Sequence, residues 1–241
     1  MVPISGRNAG GMSGLEDLLG LDAPLEEKLR AYESRQRAAG SKTAALYDAF
    51  IARLDAGEAA DTAPKRGDFL PPFALPNADG ELVSSGALLR DGPLVVSFNR
   101  GTWCSYCLLE LSALGEAYSE IRAQNASIVS VMPDRAARTK SIQEAFNLPF
   151  QILTDIDNGY ALTSGLMISL GPELREQMTA AGIDLEERQG NDAGFVPIPA
   201  TYIVAQDGRI VGGGADIDFR RRFPVASILD ALRMLNESMG A

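Results

Sequence analysis

Two cysteines, three positions apart, are the residues of this sequence best suited to redox chemistry. Cys104 and Cys107 are the only cysteines among its 241 residues. A thiolate can attack an oxidised substrate, and a second thiol one helical turn away can then resolve the product as a disulfide. The sequence has no histidine, which excludes Ser-His-Asp and Cys-His nucleophile pairs and a histidine general base. The chemistry must therefore come from the thiols, from carboxylates or from a loop.

Composition excludes several other classes of protein. The formal net charge is −10, and the longest basic run is the three arginines at 220–222, so we expect no nucleic-acid partner. The longest apolar stretches fall far short of the ~18 residues that a membrane span needs, and the start of the chain lacks a targeting pattern. We therefore expect a cytoplasmic protein with no membrane partner. Two thiols without histidine cannot complete a tetrahedral zinc site, so no metal and no cofactor is predicted.

The elements that must position the thiols can be recognised on both sides of them. The apolar run at 94–98 is typical of a strand buried on both faces. The run at 127–132 predicts a second buried strand, which would complete a β-α-β unit. The helix between them is indicated by a stripe of residues at spacings of four and three: Cys107, Leu111, Leu114, Tyr118 and Ile121.

This placement puts both cysteines between the end of a buried strand and the start of a helix. The unpaired N–H groups of a first helical turn can lower a cysteine pKa from ~8.5 to between about 3.5 and 7.5. Arg100 would add positive charge nearby. Cys104 precedes the apolar stripe and is predicted to be the more exposed thiol, whereas Cys107 lies within the stripe and is predicted to be sheltered. The alternative interpretation is a pair of ordinary small buried residues.

Helix and strand signals alternate through the rest of the chain, as in an α/β protein. The Asp-Gly pair at 207–208 predicts an antiparallel hairpin near the end. We expect a three-layer sandwich, with a central mixed sheet flanked by helices. Its further predicted elements are a helix at 138–146, strands at 150–153, 201–205 and 209–211, and a helix from Pro224.

The chain divides into a short N-terminus, an extension and one redox domain. Residues 1–14 are predicted to be disordered, residues 15–60 to form a helical extension, and residues 67–241 to form the domain. The extension is too small to be stable alone, so it must pack on the domain or on a partner subunit. An insertion at 166–195 would overhang the thiols as a lid, contact a second subunit, or form a solvated surface excursion.

The sequence at 98–107, Phe-Asn-Arg-Gly-Thr-Trp-Cys-Ser-Tyr-Cys, resembles the signature of the peroxiredoxin-like AhpC/TSA (redoxin) family. The stretch at 67–80 resembles the family's opening hairpin. The segment from Pro197 to Val204 resembles the one that places a cis-proline beside the active cysteines. The resemblance implies a thioredoxin-like fold, a cis peptide bond at Ile198–Pro199, and supporting roles for Trp103 and Thr201.

The sequence also departs from the family pattern, Pro-x-x-x-Thr-x-x-Cys, in which threonine positions the peroxide. Aligning the final cysteine on Cys107 puts Arg100 at the proline and Cys104 at the threonine. A later arginine of the family has no match, because Ala200 lies near its expected place. The thioredoxin precedent favours Cys104 as the attacking thiol and the peroxiredoxin register favours Cys107; we predict Cys104.

The leading hypothesis is a cytosolic, thiol-dependent peroxidase that uses both cysteines. Its substrate would be a peroxide or a small disulfide, and its reductant a thioredoxin-like protein or a low-molecular-weight thiol. A homodimer would form through the N-terminal extension or the 166–195 insertion. The alternatives are a thiol-disulfide reductase without peroxidase activity and a non-enzymatic, redox-responsive interaction module.

Overall fold

A computed structural model describes residues 14–40 and 42–239 of the chain. The predicted disordered segment at 1–14 lies outside the described residues except for Gly14. The helices are α1 (Leu15–Leu19), α2 (Leu25–Ala38), α3 (Lys42–Ala56), α4 (Ser85–Asp91), α5 (Ser105–Glu116), α6 (Tyr118–Ala123), α7 (Ala136–Ala145), α8 (Gly159–Thr163), α9 (Pro172–Ala180), α10 (Leu185–Gln189) and α11 (Val225–Met239). The strands are β1 (Ala74–Pro76), β2 (Leu82–Ser84), β3 (Leu94–Phe98), β4 (Ser127–Met132), β5 (Gln151–Thr154), β6 (Met167–Ser169), β7 (Phe195–Pro197), β8 (Ala200–Val204) and β9 (Ile210–Ala215).

A five-stranded mixed sheet, in the order β5-β4-β3-β8-β9, forms the centre of the domain. Strands β3, β4 and β5 pair in parallel, whereas β8 and β9 join the sheet antiparallel. All five residues of β3 are buried, because helices cover both faces of a sheet that contains parallel pairs. The predicted three-layer α/β sandwich is confirmed, and β3 lies in its middle.

The helix predicted after β3 is divided in two. α5 ends at Glu116 and α6 starts at Tyr118, with Ala117 between them. The apolar stripe nevertheless faces the core, since Leu111, Leu114 and Ile121 are buried. No helix within residues 14–40 and 42–239 is long and apolar enough to cross a membrane.

The N-terminal extension is helical, as predicted, and packs on the domain. α1 and α2 contact α5, and α3 contacts α9. Leu25, Leu29 and Tyr32 of α2 are buried at this junction, which agrees with the apolar face seen in the sequence. The extension therefore lies directly against the helix that carries the cysteines.

The 166–195 insertion is closed at its base by a small antiparallel sheet. Strand β6 pairs with β7, with Met167 opposite Pro197. Between them α9 begins at Pro172, a favoured first helical position because proline has no N–H to leave unpaired. The insertion thus contains regular structure of its own, and its role as a lid, a subunit contact or a solvated surface excursion stays a prediction.

Candidate active site

Both cysteines lie where β3 leads into α5, as the sequence predicted. Cys104 is the N-cap residue of α5, and Cys107 is the third residue of the helix. Both are free thiols. Their exposed fractions are 3% for Cys104 and 1% for Cys107, so Cys104 is the more exposed thiol by a small margin only, and both thiols are buried. The reason is that side chains distant in sequence cover the start of α5.

Each sulfur has an arginine against it. Nη2 of Arg100 donates to Sγ of Cys104 over 3.3 Å, and Nη2 of Arg222 donates to Sγ of Cys107 over 3.2 Å. The two sulfurs also affect one another, in the direction that lowers the pKa of Cys104 and raises the pKa of Cys107. The two thiols are therefore close enough to react with one another and lie between two buried cations.

These contacts stabilise the thiolate form of Cys104. Burial alone would raise its pKa, but the hydrogen bond from Cys107 and the charges of Arg100 and Arg222 more than offset burial. The pKa of Cys104 is therefore held well below its usual range, because each of these groups stabilises the negative sulfur more than the thiol.

The pKa of Cys107 moves in the opposite direction. Burial raises it first, and the hydrogen bond to Cys104 and the negative charge on that sulfur raise it further. Arg222 and Arg100 oppose this rise without cancelling it. Cys107 thus favours the thiol form, and the choice of Cys104 as the attacking thiol stays a prediction.

The charges of the buried site sum to zero when one of the two thiols is ionised. Arg100 and Arg222 supply two positive charges, and Glu110 supplies one negative charge; all three side chains are buried. Within the described ranges, Nε and Nη1 of Arg100 have no hydrogen-bond partner. Since an unpaired buried charge is costly, the Cys104 thiolate serves as the counter-ion of Arg100.

Glu110 and Arg222 complete the site, although neither was predicted from the sequence. Nε of Arg222 donates to Oε2 of Glu110 over 2.6 Å. Oε1 of the same carboxylate accepts hydrogen bonds from Ser97 at 3.2 Å and Thr201 at 2.8 Å. The predicted site residue Thr201 therefore contacts Glu110. A sequence signal existed, because Glu110 interrupts an apolar run in α5 and so needs a buried partner.

Pro199 lies where β8 begins, but the predicted cis bond is wrong. Residues 14–40 and 42–239 contain no cis peptide bond, so Ile198–Pro199 is trans, as most bonds before proline are. The backbone on each side of this trans bond makes hydrogen bonds. The N–H of Ile198 donates to Leu166 over 2.7 Å, and the carbonyl of Pro199 accepts from Asp216 over 3.2 Å.

The loop before Cys104 is held from two sides. The N–H of Thr102 donates to Oδ2 of Asp134, and Nη1 of Arg188, in the insertion, donates to Oγ1 of Thr102 over 3.3 Å. Burial raises the pKa of Asp134 to about 6. The half-buried Trp103 stacks under Arg100, with 5.0 Å between the guanidinium carbon and the ring centroid. The insertion thus reaches the cysteine loop; its role as a lid remains a prediction.

The sheet order, the site at the β3–α5 junction and the pairing of two thiols define a redox protein with a thioredoxin-like fold. The chain belongs to the AhpC/TSA family, whose sequence profile matches residues 66–212. It is therefore a peroxiredoxin-like, thiol-dependent oxidoreductase.

Similar proteins agree with this membership. A Mycobacterium tuberculosis protein named as a peroxiredoxin is 26% identical over 145 residues, which cover 60% of this chain and 81% of that protein. The rice protein peroxiredoxin Q, chloroplastic, is 28% identical over 93 residues, covering 39% of this chain and 42% of its own length.

Solved structures show the same fold. Peroxidoxin BcpB from Mycobacterium tuberculosis has a TM-score of 0.55 and 19% identity, and the match covers 71% of this chain and 97% of that one. Reduced Prx3 from Vibrio vulnificus, in complex with hydrogen peroxide, also has a TM-score of 0.55, with 18% identity over 70% of this chain and 99% of that one.

Proposed function

We propose that this protein is a thiol peroxidase in which Cys104 attacks the peroxide and Cys107 resolves the product. The observation that carries the proposal is the buried contact between Arg100 and Cys104, 3.3 Å long. It stabilises the thiolate form of the nucleophile without a histidine base.

The first step transfers one oxygen atom to sulfur. The Cys104 thiolate attacks the terminal oxygen of a hydroperoxide, the O–O bond breaks, and an alkoxide or hydroxide leaves. The sulfur is oxidised to a sulfenic acid and the peroxide is reduced, and the leaving oxygen takes up a proton to give an alcohol or water. Positive charge from Arg100 and Arg222 favours the build-up of negative charge on the leaving oxygen.

The second step forms a disulfide within the chain. Sulfur of Cys107 attacks the sulfenic sulfur of Cys104, and the thiol proton and the sulfenic hydroxyl leave as water. The interaction between the two sulfurs at the start of one helix supports this step. Two external thiols then reduce the disulfide and are oxidised to a disulfide themselves.

The reductant, the compartment and the assembly extend the proposal. We infer a thioredoxin-like protein or a low-molecular-weight thiol as the reductant, and the cytoplasm as the compartment. A homodimer through the N-terminal extension or the 166–195 insertion remains a prediction, which light scattering coupled to size exclusion tests directly.

A cysteine-exchange experiment tests the proposed function. One equivalent of hydrogen peroxide should convert the reduced protein to an intramolecular disulfide. C107S should accumulate a sulfenic acid at Cys104, which dimedone traps and mass spectrometry locates. C104S should lose its remaining thiol far more slowly. A sulfenic acid that forms rapidly at Cys107 in C104S would reverse the assignment of the two thiols.

A thiol-disulfide reductase is the second candidate, because the peroxide-positioning proline and threonine of the family are replaced here by Arg100 and Cys104. The same thiolate would attack a disulfide sulfur and expel a thiolate, and Cys107 would then release the reduced product. Slow reaction with hydrogen peroxide together with fast reduction of a small disulfide would favour this candidate over the peroxidase.

A further inference from the structure

The N-terminal extension covers the start of the cysteine helix with aromatic side chains. The hydroxyl of Tyr32 donates to Oγ of Ser105 over 2.9 Å, one residue after Cys104. The rings of Tyr32 and Tyr106 meet edge to face, with centroids 5.1 Å apart. The negative charge of Cys104 contributes to raising the pKa of Tyr32 and of Tyr47, behind burial as the main cause. Tyrosines of α2 and α3 thus lie close to a buried sulfur.

A second contact joins the extension to the residues around the arginines. Phe219 stacks on Arg100, with 3.6 Å between the guanidinium carbon and the ring centroid. On its other side it packs against Tyr47, with centroids 4.8 Å apart and nearly perpendicular. The extension therefore closes over the side chain that covers Arg100.

An ion cluster fastens the extension at this point. Nη1 of Arg220 lies 2.7 Å from Oδ1 of Asp48 in α3 and 3.3 Å from Oε1 of Glu33 in α2. Residues 218–222, which we call the arginine loop, also carry Phe219 and Arg222. One loop thus holds the extension and contacts the groups around both sulfurs.

We propose that the N-terminal extension, fastened by Arg220, is the size filter of the thiol site. This role rests on the proposed peroxidase function. With the extension seated, a small hydroperoxide such as hydrogen peroxide reaches Cys104. Bulky hydroperoxides and disulfides react only when the extension moves at Tyr32 and Tyr47.

The fastening is the part of this junction that opens most easily. The apolar side chains of the extension are buried, so complete detachment would expose a large apolar area. The two partners of Arg220 that belong to the extension are half-exposed instead, at 30% for Glu33 and 45% for Asp48. Ion pairs of this kind contribute little stability and are screened by salt. Local opening at the ion cluster therefore leaves the fold intact.

The test compares probes of different size on one variant. The double variant E33Q/D48N removes the two acidic side chains of the extension that pair with Arg220, and leaves Arg220 its ion pair with Asp218 inside the arginine loop. It also removes the ion pairs of Arg37, which lie within the extension itself. Its rates with cumene hydroperoxide and with the neutral disulfide 4,4′-dipyridyl disulfide should rise about fivefold, which corresponds to about 1 kcal/mol of lost ion pairing. Its rate with hydrogen peroxide should stay within about twofold of the original protein. Salt at ~1 M should raise the bulky-probe rates of the original protein and add little in the variant.

A matched control is D230N, which removes an exposed ion pair of 2.8 Å with Arg233 in α11 and should change none of these rates. If the double variant unfolds, D48N alone keeps Glu33 for Arg220 and should give a smaller rise. Unchanged bulky-probe rates in folded protein, or an equal rise with hydrogen peroxide, would overturn the size filter. Failure of the proposed peroxidase function would give a different result: the thiols of the original protein would resist hydrogen peroxide but react with the disulfide probe.

Discussion

Cys104 and Cys107 each have an arginine against the sulfur, but the two arginines differ in what else they contact. Arg222 has a buried carboxylate 2.6 Å away, that of Glu110. The only hydrogen bond that Arg100 makes among the described residues goes to Cys104, and its other faces lie on aromatic rings.

This difference adds to the two larger causes of the opposite pKa shifts of the thiols, which are burial and the effect of the two sulfurs on one another. Arg222 is already neutralised, so Cys107 gains little from ionising. Arg100 lacks a carboxylate, so the Cys104 thiolate completes its pair. An arginine beside a thiol lowers the pKa of that thiol most when the arginine is not already paired with another anion.

The largest expected effect comes from removing the carboxylate partner of Arg222, so that neither arginine beside a thiol has a carboxylate. E110Q leaves Arg222 without its carboxylate and should lower the free energy of unfolding by about 3–5 kcal/mol, the typical cost of breaking a buried pair. Cys107 should then become the counter-ion of Arg222, so its pKa should fall. Denaturant unfolding and iodoacetamide alkylation of each thiol against pH measure both changes. E120Q, on the exposed face of α6, is the control; a Cys107 pKa that stays high in E110Q would contradict the comparison.

A smaller effect is expected from removing the unpaired arginine. R100M keeps an apolar stem among the rings and should raise the pKa of Cys104 by about 1–3, because a nearby opposite charge typically has this influence. The rate with hydrogen peroxide near neutral pH should fall about 10- to 1000-fold. Thiolate absorbance at ~240 nm and stopped-flow rates measure the two quantities. R233M, with an exposed arginine in α11, should behave as the original protein does.

The same variant makes a prediction about stability and pH. The pKa of Cys104 is depressed in the folded protein, so between that value and the unfolded value near 8.5 the unfolded chain binds more protons. Stability contributed by Cys104 therefore rises with pH across this window and is lost as pH falls through the folded pKa. Unfolding curves of R100M should lack this rise; an unchanged rise would mean that Arg100 is not the cause.

The smallest effect is expected from removing one hydrogen bond to the carboxylate of Glu110, the partner of Arg222. T201V removes the 2.8 Å hydrogen bond from Thr201 to Glu110 and should cost about 1.5 kcal/mol of folding free energy. The peroxide rate should change less than about twofold, because Glu110 keeps Arg222 and Ser97 as donors. T163V, which removes an exposed hydroxyl in α8, is the control. A large loss of peroxide rate would mean that Thr201 contacts the substrate.

Local sequence patterns predicted the individual strands and helices around the cysteines. The buried run that forms β3 and the stripe that forms α5 could both be read from the sequence, because their periodicity reflects burial. The break at Ala117 was missed, since the apolar stripe continues through it. The trans bond at Pro199 was missed as well, because backbone contacts with Leu166 and Asp216 become visible only in the folded chain.

The same distinction between local and long-range contacts applies to the residues of the site. Arg100 could be anticipated because it precedes Cys104 by four residues within one strand-to-helix connection. Arg222 could not, since it lies 115 residues from the sulfur that it contacts, and its run of three arginines is typical of a solvated surface. The shelter of Cys107 was predicted from the apolar stripe, but the burial of Cys104 was missed, because the covering side chains come from the extension and from residues 218–222.

The charge balance of the reduced site has a consequence for its redox equilibrium. Disulfide formation removes the negative sulfur and leaves Arg100 and Arg222 facing Glu110 alone, with one buried positive charge uncompensated. The oxidised form is thereby destabilised relative to the reduced form, which raises the reduction potential. The disulfide of this protein should therefore be a strong oxidant, readily reduced by external thiols, and equilibration with a glutathione buffer measures that potential.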